Sequence, residues 1–213
     1  MKYAFILSST LLITSCSAND PAAIITTTQV NNMTHFLSEF LPSHYQKVYQ
    51  QDVLSDQQHV QLVRYQKLPL LKLNGENFSY LSDQTGALKG FSYLDESLIN
   101  GHLPTKAQAQ KISDDFLQHY APDLLQHREI HWIDQHDENV HINGKTQKIA
   151  GIKVKMRNLN DGRWFWVIIG KNQRPIIFER DIVWVSFPGH RKTEKWLHDS
   201  WAKDHLIIKG QSK

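Results

Sequence analysis

One cysteine, twelve histidines and a few paired carboxylates are the residues of this 213-residue chain that are equipped for chemistry. The thiol of Cys16 is the only sulfur nucleophile, and it stands directly behind the small residues Thr14 and Ser15. His127 and His131 have the i, i+4 spacing that chelates a metal on a helix. Ile130-His131-Trp132-Ile133, however, reads as a strand, along which four residues span about 13 Å, too far for shared coordination. His131, His136 and His141 are the weak metal candidates, since they could meet across a hairpin if Asp134 to Glu138 forms its turn. Surface histidines in a polar hairpin are the simpler expectation, so no metal site is assigned. Asp114-Asp115 and Asp137-Glu138 suit a solvated helix face or loop tip. Gly90-Phe91-Ser92-Tyr93-Leu94 lacks the closing glycine of a nucleophile elbow. No glycine loop could cradle a phosphate, with only 10 Gly in 213 residues. The expectation is therefore a protein without catalytic residues or cofactor.

What precedes Cys16 decides how its thiol is used. Met1-Lys2 supplies a positive start, and Tyr3 to Ile13 is a mostly apolar stretch, too short to cross a bilayer as a stable helix. Ile13-Thr14-Ser15-Cys16 resembles the bacterial lipobox. That resemblance implies a signal peptide over 1–15, cleavage before Cys16, and a diacylglycerol and further acyl (palmitate-type) chains on the new terminus. Each buried methylene contributes about 0.8 kcal/mol, so two or three chains make the anchor permanent. Ser17 stands where enteric lipoproteins retained in the inner membrane carry Asp. By that analogy the chain belongs to the outer membrane, facing the periplasm, with the membrane as its first partner. Residues 16–28 then read as a lipidated tether, reaching about 40 Å at most. With one Cys, no disulfide staples the mature part. Its charge, +3 for the full chain and +2 without Lys2, leaves no basic footprint for nucleic acid.

From residue 29 the apolar period is helical: Val30, Met33, Phe36, Leu37, Phe40 and Leu41 share one face, up to Pro42. Extended pieces follow at Val60 to Tyr65, Leu70 to Leu73, Phe78 to Leu81 and Ala87 to Leu94, with turns at Asn74-Gly75 and Asp83 to Gly86. Thr105 caps a second helix with the stripe Ala109, Ile112, Phe116, Leu117, Tyr120 and Ala121, stopped by Pro122. Strands are then predicted at Glu129 to Asp134, Asn139 to Ile142, Lys148 to Arg157, Arg163 to Ile169 and Pro175 to Phe187. A last helix is predicted over Thr193 to His205. Trp164 to Ile169 is apolar on both alternating faces and reads as a central strand. Trp196 and Trp201 lie about 140° apart on a helix, which puts one of them at an exposed binding surface.

Phe36-Leu37-Ser38-Glu39-Phe40-Leu41-Pro42 and Phe116-Leu117-Gln118-His119-Tyr120-Ala121-Pro122 align at a spacing of 80, which points to internal duplication. The helix start Thr105 to Ile112, and the strand–Asp-x-Thr-Gly–strand segment Phe78 to Phe91, resemble the PepSY-type modules of bacterial envelope proteins. In the second half Lys171-Asn172-Gln173-Arg174 replaces the Thr-Gly turn. The resemblance implies inhibitory or chaperone-like binding to envelope partners and brings no catalytic residue. The fold class expected is α+β: a helix followed by an antiparallel sheet, in two related units (29–100 and 101–213) sharing a core, with a short C-terminal helix. The function expected is non-catalytic binding of an envelope protein or peptide. The alternative is a metal- or haem-handling lipoprotein using the His-rich hairpin, and a lipid-anchored hydrolase ranks last.

Overall fold

The computed structural model describes residues 27–68, 71–187 and 189–205. Cys16, its leader and most of the proposed tether lie outside these described residues. In chain order the elements are α1 (Thr27–Phe40), β1 (Gln46–Ser55), β2 (Gln58–Gln66), β3 (Asn77–Asp83), β4 (Leu88–Leu94), α2 (Lys106–Tyr120), α3 (Pro122–Leu125), β5 (Arg128–Ile142), β6 (Lys145–Asn158), β7 (Trp164–Gly170), β8 (Pro175–Ile182), β9 (Trp184–Val185), β10 (His190–Arg191) and α4 (Asp199–His205). The first eight strands form one antiparallel sheet in the order β1-β2-β3-β4-β8-β7-β6-β5, and β9 pairs with β10. An α+β architecture dominated by an antiparallel sheet is thus observed. The seam is the short β4–β8 pairing Gly90↔Glu179, Phe91↔Phe178 and Ser92↔Ile177.

Local chemistry explains the main boundaries. Thr105 accepts from the Gln108 amide while the Gln108 side chain accepts from the Thr105 amide, a capping box that starts α2. Asp83 closes the β3–β4 turn by accepting from the amides of Thr85 and Ala87, and Gly86 takes a φ of +83° that a side chain would strain. Pro42 and Pro122 follow the two long helices within two residues, where neither can continue them.

The helices cover one face of the sheet. Phe36 packs on Phe91 at 5.2 Å and Phe116 on Phe178 at 5.2 Å between ring centroids. The helices meet through Phe36–Tyr120 at 5.4 Å and Phe40–Phe116 at 5.9 Å. Buried residues from both halves of the chain belong to a single cluster, most of it on this side.

On the opposite face one row of directly paired residues crosses the whole sheet: Gln51, Leu62, Leu81, Gly90, Glu179, Trp166, Lys155 and Trp132. The segment 192–205 lies over the β1–β4 end of that row. Trp196, Trp201 and Ala202 cluster with Val53, Val60, Leu62 and Leu81. Gly90 is required here, because a Cβ would stand 2.4 Å from the Trp196 ring and 2.6 Å from the Phe178 carbonyl oxygen. Arg64 on β2 donates to both carboxylate oxygens of Asp199, at 2.5 and 3.0 Å, and so fastens the segment.

Several sequence expectations are corrected. An entire strand, β1, precedes Val60; its sequence QKVYQQDVLS is too polar to signal a strand because it forms a sheet edge. Residues 71–73 are not a strand. The two pieces at 129–134 and 139–142 are one continuous 15-residue strand, with the hairpin turn at Asn143-Gly144 instead of Asp134 to Glu138. The strand from Pro175 ends at Ile182. The last helix spans only Asp199–His205, so the angular argument about its tryptophans fails: Trp196 and Trp201 are both buried, at 6 and 7% exposure, in one cluster.

Candidate functional site

The end of the open face beyond the seam holds a dense grouping of cations and indoles. On β6, Lys153, Lys155 and Arg157 alternate with apolar residues directed at the helices, so their side chains share the open face. Trp132 on β5 and Trp166 on β7 flank Lys155 directly in register, and Trp164 is paired with Arg157. The Lys155 ammonium lies 4.4 Å from the Trp164 ring centroid, 5.6 Å from Trp184 and 5.7 Å from Trp132. Lys153 sits 3.7 Å above Trp166. Trp132 and Trp184 are 37 and 47% exposed, whereas Trp166 is 6% exposed.

Lys153, Lys155 and Arg157 lack carboxylate partners among the described residues, and burial acts on the two lysines. Among the described residues, neither Lys153 nor Lys155 forms an ion pair. Burial pushes the Lys153 amine down to about 8, with Glu179 and Glu138 opposing that shift through space. Burial alone pushes Lys155 down; no carboxylate offsets it.

Deeper in, where the C-terminal segment meets the sheet, a chamber of about 90 Å³ is lined by His136, Glu138, Lys153, Glu179, Arg191 and His198 among others. Such a collection resembles acid–base machinery, but four of its members are paired with one another. His136 bonds Glu138 at 2.8 Å, and Arg191 bonds Glu179 at 2.9 Å with both side chains about 95% buried. Glu138 is held below the usual carboxylate range by His136 against the opposing pull of burial. A wider groove of about 290 Å³ at the end of β8 carries Lys89, Arg180 and Asp181, again mutually paired. The charges in these ion pairs are already partnered.

The histidine candidates do not converge. His131, His136 and His141 occupy one strand five residues apart, about 16 Å per step, so the hairpin-centred metal site is overturned. His131 stacks edge-on against Trp164 at 4.9 Å, His136 bonds Glu138, and His141 contacts Thr146 at 3.2 Å. Among the described residues no group of three or more His, Cys, Asp or Glu is placed to hold a metal. Cys16, the lipidation candidate, is outside the described residues.

Sequence reasoning assigned Trp164 and Trp166 to a buried strand and passed over Lys153 and Lys155. Their alternation with Ile152, Val154 and Met156 was the available signal, since a charge at every second position of a strand marks a face that helices do not cover. No helix among the described residues is long and apolar enough to cross a membrane. No protein family, curated protein or solved structure matches this chain.

Proposed function

We propose that the chain is a non-catalytic lipoprotein of the bacterial envelope, anchored through Cys16 at the outer membrane and facing the periplasm, that binds a protein or peptide partner on the uncovered end of its sheet. The observation that carries this reading is the exposure of Trp132 and Trp184 around a single lysine. Large indoles left in water on a rigid sheet are the side chains that dominate binding energy where partners meet. Edge strand β5 adds to this. Apart from a bridge at its far end, where the His141 amide donates to the Asn74 carbonyl, it has a strand neighbour on one side only, so it can accept an added strand.

A photo-crosslinking residue placed at position 132 or 184 in cells tests this proposal. Crosslinks to a partner protein are expected there and not at Gln118, an exposed position on α2 across the sheet. Equal crosslinking at all three positions, or none at 132 and 184, refutes it.

We also infer that the two halves derive from one duplicated helix-plus-sheet unit. Under the spacing of 80, Phe36 corresponds to Phe116 and Phe40 to Tyr120. The contacts Phe36–Tyr120 and Phe40–Phe116 are then one contact taken in both directions, as across a two-fold axis. The antiparallel β4–β8 seam lies where such an axis would pass, and the matched pairs Phe36–Phe91 and Phe116–Phe178 share one centroid distance, 5.2 Å. The PepSY-type resemblance is kept as a proposal on the same footing; it rests on the α2 start and the β3–β4 turn.

A further inference from the structure

Lys155 poses a specific electrostatic problem. Its ammonium is partly removed from water by three indoles, and none of the ion pairs among the described residues involves it. Cation–π attraction recovers only part of what a partly desolvated charge gives up. The nearest carboxylates by register are engaged or set aside. Asp134, opposite Lys153, pairs with Lys106 at 3.5 Å; Glu138 and Glu179 serve His136 and Arg191; and Glu129 stands opposite Arg157. Arg157 itself donates to the Gly162 carbonyl. Among the described residues, Lys153, Lys155 and Arg157 thus all lack a carboxylate partner, and Lys155 is the one that lies between the two exposed tryptophans, one of which belongs to edge strand β5.

We propose that the segment held here is an acidic peptide, one carboxylate of which meets the Lys155 ammonium between Trp132 and Trp184. This proposal rests on the binding reading above and specifies its ligand. A carboxylate supplies the missing counter-charge in a charge-assisted hydrogen bond. An extended acidic segment fits better than an anionic glycan because the outer backbone of β5 offers main-chain bonds that only a peptide can use. In an added strand, alternate residues share a face, so acidic residues at every second position would all be presented on the lysine side.

The test uses fluorescence anisotropy with the chain freed of its leader and three probes: an alternating Glu-Val octapeptide, its Lys-Val counterpart and oligogalacturonate. The Glu-Val peptide is expected to bind, more weakly at high salt, and the Lys-Val peptide is not. Lys155→Met keeps the aliphatic stem and should weaken Glu-Val binding about tenfold or more. Trp184→Ala removes an exposed ring and should weaken it without unfolding the chain. Lys148→Met, which breaks an exposed pair with Asp137, should leave binding unchanged. Undiminished binding by Lys155→Met, equal binding of the Lys-Val peptide, or binding of oligogalacturonate alone overturns the proposal. Crosslinking at position 132 with no Glu-Val binding refutes the acidic preference and leaves the binding reading standing; loss of both results refutes both.

Discussion

Replacing Trp166 with alanine tests whether the middle of the sheet's second half is a packed core. Trp166 is on β7, between β6 and β8, with 6% of its surface exposed. A buried indole hides about 150–250 Å², which at about 25 cal/mol per Å² is roughly 4–6 kcal/mol, less what the alanine methyl retains. The cavity left behind adds to the loss, while water entering above β7 would rehydrate Lys153, now 3.7 Å over the ring, and offset part of it. The net expectation is about 3–5 kcal/mol, a large share of the 5–15 kcal/mol that typically holds a domain together. Urea unfolding of the chain from residue 17 onward, followed by circular dichroism, should show the midpoint falling by about 2 M with the slope unchanged. Trp166→Phe should lose less than half as much. A midpoint shift below about 0.5 M for Trp166→Ala would refute the placement of this indole in the core. His136→Ala makes a useful comparison. A histidine in an exposed turn would cost no more than about 0.5 kcal/mol, but the strand position beside Glu138 raises the expectation to about 1–2 kcal/mol, because a part-buried carboxylate loses its partner.

Gly90→Ala should cost about 1–3 kcal/mol by driving Trp196 off the sheet, and in a Trp196→Ala background the added cost should shrink; strict additivity in denaturant melts would show that the two do not touch. Because burial lowers the Lys153 amine to about 8 from 10.5, the unfolded chain holds a proton that the folded chain has released between those values. Wild-type stability relative to Lys153→Met should therefore rise as pH climbs from about 8 to about 10.5, and a flat difference across thermal melts in that window would contradict the assignment. Cys16→Ala should abolish incorporation of radiolabelled palmitate and leave either precursor or a soluble periplasmic form; equal retention of mutant and wild type in salt-washed membranes would eliminate the anchor.

What the sequence disclosed and what it hid divide along one physical line. Periodicity reports burial, so elements with one clean apolar face were legible: the stripe of α2, the β3–β4 hairpin with its Asp83 and Gly86, and the doubly buried β7. Elements whose pattern is diluted were not. β1 is an edge and reads as polar, and β5 looks broken because its central residues Asp134 to Glu138 face solvent or pair with their own neighbours. The C-terminal segment gave helical spacing over a stretch whose first part, 193–198, is irregular and is held by bonds to distant parts of the chain, such as the Glu194 amide donating to the Asp56 carboxylate in the β1–β2 turn. The Lys155 site lay hidden for the same reason. Its members come from β5, β6, β7 and β9, and only the registers bring them together.

The row that crosses the open face shows why a site should arise at one end of the sheet and not the other. A sheet needs its apolar faces covered, and α1 and α2 cover only one. Along the other face the same row changes character at the seam. From Gly90 to Leu62 it is small or aliphatic and accepts Trp196 and its cluster, with the Arg64–Asp199 pair closing the contact. Past Glu179, which Arg191 bonds, it becomes Trp166, Lys155 and Trp132, and the segment's Leu197 and His198 reach as far as the chamber beside Lys153 and Trp166. Charges spaced along β6 make that end too polar to be buried by the chain's own apolar residues, while the indoles beside them make it too apolar to be indifferent to a partner. On the proposed duplication and binding reading, divergence at these few positions would turn one half into a seat for the C-terminal segment and the other into a surface for a separate ligand.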